Sequence, residues 1–165
     1  GGAFYAFVKV HDIDIKIIPE KISSLISAGM VIKQAIASEI KMGHPEKPEM
    51  NNLYGIIFVE ESNNPDCHSR QVCVFANGQV DRCPTGTGVS ARLSILYERN
   101  EIDVNEVIAI DSIIGTIFTG QVLETLSVSG QNAIIPEVGG KSYIIGKQTF
   151  IVDPDDPFKE GFILR

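Results

Sequence analysis

From Glu106 to Val152 the chain breaks into four apolar, β-branched runs: "EVIAIDSI", "TIFTGQVLETLSV", "QNAIIPEV" and "KSYIIGKQTFIV". Only short Gly, Ser or Asn turns separate them. Parallel neighbours need a crossover of about a dozen residues or more, so links this short imply antiparallel pairing. The stretch predicts a meander, and the rest of the fold has to be built around it.

Upstream, "FYAFVKV" (Phe4 to Val10) is rich in aromatic and β-branched residues and predicts a strand. Pro19 and Glu20 then open a helix expected to run to about Lys41. Ile22, Leu25, Ile26, Ile32, Ala35, Ile36 and Ile40 fall close to one face of it, which reads as core. Strands follow at Leu53 to Glu60 and Arg70 to Ala76, and a second helix at roughly Gly88 to Glu98. Some seven strands and two helices predict an α+β lobe, an antiparallel, barrel-like sheet wrapped around a central helix. Residues 1–152 form that lobe and 153–165 a turn-rich, then apolar tail.

At 165 residues the chain is long enough for one core-bearing domain or one lobe of a larger protein. It begins at "GGAFYAF", already strand-like and without a methionine, which reads as a fragment or a processed chain. The net charge is −7 with dispersed basic residues, which argues against nucleic acid as a partner. No apolar run reaches the ~18 residues a membrane-spanning helix needs, so a membrane partner is not expected either. Cys67, Cys73 and Cys83 are an odd number without CxxC spacing, so no zinc ribbon is expected. Free thiols point to a reducing, cytoplasmic compartment.

The chemistry concentrates in "DRCPTGTGVSARLSILYERN", Asp81 to Asn100, where a Gly-rich turn runs into an amphipathic helix. Gly86 to Ala91 fits the loose dinucleotide pattern G-x-G-x-x-G/A, with Asp111 about twenty residues on. The context disagrees. A dinucleotide fold runs its first strand straight into the first glycine, whereas "NGQVDRCPT" intervenes here. No lysine follows the last glycine, so the phosphate-loop pattern fails as well. What survives is physical: the first N–H groups of a helix lack internal partners and favour an anion. Gly86 and Gly88 would let a small carboxylate approach the backbone. Asp81 beside such a seat suits a ligand carrying both charges, an amino or imino acid. Alternatively Asp81 only ties down its own turn or pairs with Arg82.

"VCVFANGQVDRCPTGTGVSAR" resembles the second active-site motif of the proline racemase family, approximately Asp-Arg-Ser-Pro-Cys-Gly-Ser/Thr-Gly-Thr-Ser-Ala. The similarity extends through "GGAFYAF", "GHPE", "SIIGTIFTG", "IIPEVGG" and "DPDDPFKEGF". It implies one lobe, of the diaminopimelate epimerase-like type, of a cofactor-free enzyme with two similar lobes. The substrate of such enzymes sits between the lobes, each of which offers a catalytic position at a helix start. The family's first motif, roughly Met-Cys-Gly-His, is absent here, so the resemblance covers the later lobe and tail. It also implies a homodimer when complete, and a tail packing towards the N-terminal lobe.

Thr85 stands where racemases carry their second cysteine. A cysteine with an ordinary pKa near 8.5 reaches its thiolate near neutrality, whereas an aliphatic hydroxyl stays protonated. Two-base inversion at Cα is therefore disfavoured, while elimination needs one base and help for a departing β-hydroxyl. The substitution resembles the trans-3-hydroxy-L-proline dehydratase branch, with the base cysteine in the N-terminal lobe. By the same resemblance Asp81 holds the imino nitrogen, the N–H groups of Gly86 and Thr87 hold the carboxylate, and Phe75 lines the pocket, as do Phe4 or Tyr5. Ordinary core packing is the competing account of each aromatic.

Other readings stay open. Cys83 lies two residues from Thr85, on the same face if the segment is extended, which keeps a racemase or hydroxyproline 2-epimerase in view. A non-catalytic imino-acid-binding lobe is the third. His44 reads as a turn residue, and His68 beside Ser69 as a loop residue without a nucleophile elbow. Cys67 and Cys73 read as loop or core thiols.

Overall fold

A computed structural model describes residues 2–163; Gly1, Leu164 and Arg165, the outermost residues of the expected lobe and tail, lie outside the described residues. The chain runs β1 (Phe4–Lys9), α1 (Ile22–Glu39), β2 (Leu53–Glu60), β3 (Ser69–Phe75), β4 (Gln79–Val80), α2 (Gly86–Glu98), β5 (Ile108–Ser112), β6 (Ile117–Val128) and β7 (Gln131–Gly140). Short 3-10 turns at Val10–Asp12 and Pro19–Lys21 precede α1. Proline sets the φ of the second turn, and the α-helix proper starts at Ile22.

One seven-stranded sheet has the order β1-β2-β3-β5-β6-β7, with β4 paired to β3. The expected antiparallel meander holds for β5, β6 and β7. Its last turn is Ser129-Gly130, both with positive φ (49° and 79°), as two-residue hairpin loops require. The all-antiparallel expectation fails at two places, because β1–β2 and β3–β5 are parallel. Each of those links carries a helix, so the chain returns to its starting end before pairing again. The sheet is also open, not barrel-like: β1 and β7 end the strand order without pairing to each other.

Strand alternation assigns the two helices to opposite faces. Ile56 and Phe58 of β2 and Val72 and Val74 of β3 join Leu25 of α1 in one cluster. Gly29 brings α1 close, since a Cβ there would stand 2.9 Å from Val74 Cβ. Val89, Leu93 and Leu96 of α2 pack with Ile108, Ile110 and Val122 on the other side. Ile57 of β2 and Ile134 and Val138 of β7 also reach α2 or its cluster, so the open sheet curls around this central helix. Burying such side chains contributes about 1.5–3 kcal/mol each. On α1, Leu25, Ile22, Ile26, Ile32 and Ile36 meet the core as expected, while Ala35 and Ile40 are exposed.

The strand expected over Lys141 to Val152 does not form. Ile144 is 99% and Phe150 85% exposed. β-branched residues favour a strand, but a ladder also needs a neighbouring edge, and this segment leaves β7 without meeting one. Beyond it, Asp153 and Asp156 accept from the N–H groups of Asp155 and Phe158, giving the expected turns. Among the described residues no helix is long and apolar enough to cross a membrane.

Candidate active site

The end of β3 and the start of α2 enclose the segment singled out in the sequence. Thr85 is the N-cap of α2, whose first residue is Gly86, two residues earlier than expected. The cap makes no side-chain bond to the first turn. Val89 N–H closes on Thr85 O over 2.8 Å, which leaves the N–H groups of Gly86, Thr87 and Gly88 without intrahelical acceptors. Thr85 has φ 68° and ψ 105°, a region β-branched residues rarely enter, and it is buried.

Its hydroxyl donates to Asp81 Oδ2 over 2.6 Å, and its N–H approaches Cys83 Sγ at 3.4 Å. Asp81 is half-buried, and among the described residues it forms no ion pair with Arg82, which is exposed. Cys73, fully buried on β3, lies beside Asp81 and Thr85. Burial pushes its thiol up to about 12; the Asp81 charge adds to this, and hydrogen bonding with Thr85 opposes it. Cys73 is therefore a neutral wall of the site at ordinary pH.

The two glycines behave differently. A Cβ at Gly88 would stand 2.6 Å from Ile57 Cδ1, so this glycine serves the seating of α2 on β2. A Cβ at Gly86 would meet nothing nearer than 4.0 Å, and this position stays open to a ligand.

Aromatic rings flank the helix start. Tyr5 Oη lies 2.6 Å from Thr87 Oγ1, and burial pushes the phenol pKa up, against the hydrogen bond to Thr87. Register shifts where Phe4 pairs with Leu53 and Tyr5 with Gly55, so Tyr54 is bulged out. The bulge stacks Tyr54 on Phe75, centroids 5.5 Å apart, and sets it edge-on to Tyr5 at 5.6 Å. Tyr5 and Phe75 are thus brought together with Asp81, Thr85, Gly86 and Thr87. Phe4 is not; it packs against the α1 cluster on the other face. Nothing in the residue type of Tyr54 announced its place, because a bulge shows in backbone pairing.

Gln71 was likewise missed. It is fully buried on β3 and donates Nε2 to Pro84 O over 2.6 Å. A lone amide among the apolar residues of "SRQVCVF" was the available signal.

A cavity of about 680 Å³ lies at the opposite ends of β1 and β2, lined among others by Lys9, Glu60, His68 and Arg92. His68 there hydrogen-bonds Ser69 Oγ at 3.2 Å, and burial lowers its pKa. None of the candidate site residues lines that cavity. At the helix start, by contrast, open N–H groups, a carboxylate and a hydroxyl converge. Among the described residues no three His, Cys, Asp or Glu side chains group as metal ligands.

Comparison with known proteins identifies the family. A family model described as "Proline racemase" matches residues 1–163. The chain is 44% identical over 165 residues to the trans-3-hydroxy-L-proline dehydratase of Colwellia psychrerythraea, covering 100% of this chain and 46% of that protein. It is 38% identical over 162 residues to the proline racemase of Acetoanaerobium sticklandii, covering 98% and 48%. A crystal structure of a hydroxyproline epimerase from Agrobacterium vitis, with bound trans-4-OH-L-proline, superposes with a TM-score of 0.87 at 34% identity. That superposition covers 99% of this chain and 47% of the other. The chain spans about half the length of the curated relatives it matches.

Proposed function

The chain belongs to the proline racemase family, and from that membership we propose that the complete protein dehydrates trans-3-hydroxy-L-proline without a cofactor. The observation that carries the reading is the hydroxyl of Thr85, held 2.6 Å from Asp81 at the start of α2, where a racemase presents a thiol. A hydroxyl that stays protonated is a poor second base and a good hydrogen-bonding partner for a departing hydroxyl.

In this reading the substrate carboxylate sits on the N–H groups of Gly86 and Thr87, and the ring nitrogen donates to Asp81. A carboxylate has room for that donor and for Thr85 together. The rings of Tyr5, Tyr54 and Phe75 exclude water along one side. A cysteine of an N-terminal lobe takes the α-proton, and the C2–H electron pair forms the C2=C3 bond as the C3–O bond breaks. The departing hydroxide, hydrogen-bonded by Thr85, takes the proton from the cysteine thiol just formed and leaves as water. The resulting enamine tautomerises to the cyclic imine, a pyrroline-2-carboxylate.

The same reading assigns residues 1–152 to the later lobe and 153–165 to a tail facing the N-terminal lobe, in a homodimer of cytoplasmic enzyme. The exposed Ile144, Ile145, Phe150 and Phe158 support a partner surface, which begins as early as Lys141. Incubating the complete protein with trans-3-hydroxy-L-proline and measuring imine by mass tests the proposal. Folded protein that gives no imine would overturn it.

A second reading, an epimerase or racemase using Cys83, has one observation in its favour: Cys83 Sγ accepts from Thr85 N–H at the helix start. Inversion of L-proline with solvent deuterium entering Cα, lost in Cys83→Ser, would replace the dehydratase reading.

A further inference from the structure

Thr85 pays a conformational cost that its own side chain does not recover. A β-branched residue at φ 68° persists only where the surroundings over-determine it. Here the surroundings are three side chains that hold two carbonyls of the segment leading into Thr85.

Gln71 donates Nε2 to Pro84 O over 2.6 Å. The opposite amide orientation would set two oxygens against each other, so the assignment follows from the partner. Thr116 Oγ1 donates to Arg82 O over 2.7 Å, and Ser112 Oγ lies 3.2 Å from the same oxygen. The Ser112 and Thr116 hydroxyls are themselves 2.7 Å apart. Gln71 and Ser112 are register partners across the parallel β3–β5 pair, so one rung of the sheet supplies both arms of the grip.

Gln71 is an expensive choice for plain core packing. Its side chain is fully buried, and Oε1 has no partner among the described residues. An apolar side chain of similar volume would fill the same space without burying an amide. What such a residue could not do is hold Pro84 O, and with it the peptide that joins Pro84 to Thr85.

We infer that Gln71, assisted by Ser112 and Thr116, is a positioning residue that keeps Thr85 in its disfavoured conformation and so aims the hydroxyl beside Asp81. Gln71 acts through the backbone of Pro84. The functional half of this inference rests on the dehydratase reading; the conformational half does not.

Gln71→Met in the complete protein keeps the volume and removes the donor. The expected result is a kcat for elimination lowered by at least about tenfold, with KM within about twofold, because Asp81 and the helix N–H groups remain. Thr116→Val should move kcat in the same direction, and it replaces Gln71→Met if that variant does not fold. An unchanged kcat at a temperature where the variant is folded overturns the positioning role.

A melting cycle reads the conformational half. Glycine accepts positive φ without steric cost, so Thr85→Gly relieves strain only while the grip maintains it. The change in Tm on Thr85→Gly should be more favourable with Gln71 present than in the Gln71→Met background. Equal changes in the two backgrounds overturn the inference, whatever reaction the protein performs. If the unsubstituted protein makes no imine, the dehydratase reading fails and the melting cycle still decides this one.

Discussion

Thr85 Oγ1 and Asp81 Oδ2 lie 2.6 Å apart, four residues from each other across a turn that ends in the first turn of α2. The bond spends the hydroxyl proton on the carboxylate and leaves the oxygen lone pairs free for a ligand. A carboxylate accepts more than one donor, so a ligand donor can reach Asp81 while the Thr85 bond stays in place. Asp81 and Thr85 are therefore linked before any ligand arrives.

Replacing the hydroxyl tests that link. Thr85→Val keeps the shape, and elimination should fall by ~10²–10⁴-fold, the usual contribution of a positioned proton-handling group. Thr85→Cys puts a thiol at a helix start, where thiolates are favoured. Exchange of the substrate α-proton with deuterium, accompanied by inversion, should appear in that variant as imine formation declines. Mass and chiral analysis of the products check both outcomes.

Asp81→Asn keeps the size and removes the charge. Losing one hydrogen bond to a charged group costs about 1.5–3 kcal/mol, which corresponds to a KM raised by about 10–100-fold. Steady-state kinetics of the complete protein measure it. A KM unchanged in this variant would detach the ring nitrogen from Asp81.

Cys73 sets a pH dependence of stability. Its folded pKa is pushed up to about 12, well above the ordinary thiol range, because the site is buried. The folded chain keeps a proton that the unfolded chain has lost, so this contribution is complete below about pH 9 and lost as pH rises towards 12. Denaturant melts between those pH values should lose stability more steeply for the unsubstituted chain than for Cys73→Ala.

The two glycines should respond in opposite ways to a methyl group. Gly88→Ala forces a Cβ to 2.6 Å from Ile57 Cδ1 and should cost about 1–3 kcal/mol. Ile57→Val removes that atom and should recover part of the loss. Gly86→Ala meets nothing closer than 4.0 Å and should leave Tm nearly unchanged. Thermal melts of the four proteins separate packing from ligand access.

Local patterns were read well where local chemistry decides. The strand Leu53–Glu60 has the boundaries its β-branched run predicts, and the hairpin between β6 and β7 follows from Ser129-Gly130. The candidate junction was legible too, since Asp81, Thr85, Gly86 and Thr87 are close in the chain. Phe75 and Tyr5 needed the sheet, and of the pair Phe4 and Tyr5 only backbone pairing shows that Phe4 packs in the α1 core, because alternation alone does not say which side a strand turns to the junction. The parallel pairings escaped because they belong to connections, and Lys141 to Val152 because a strand needs a neighbour that no residue in it specifies. Gln71 and Tyr54 act through a carbonyl and a bulge, which side-chain patterns do not encode.

β3 divides its seven residues between two tasks. Val72 and Val74 face the α1 cluster, while Gln71, Cys73 and Phe75 face the junction. Alternate residues of one strand therefore serve the α1 core and the junction. A mutant library confined to the first set should explore melting temperature at nearly constant turnover. One confined to the second should explore substrate choice, so a lineage could retune either property without first surrendering the other.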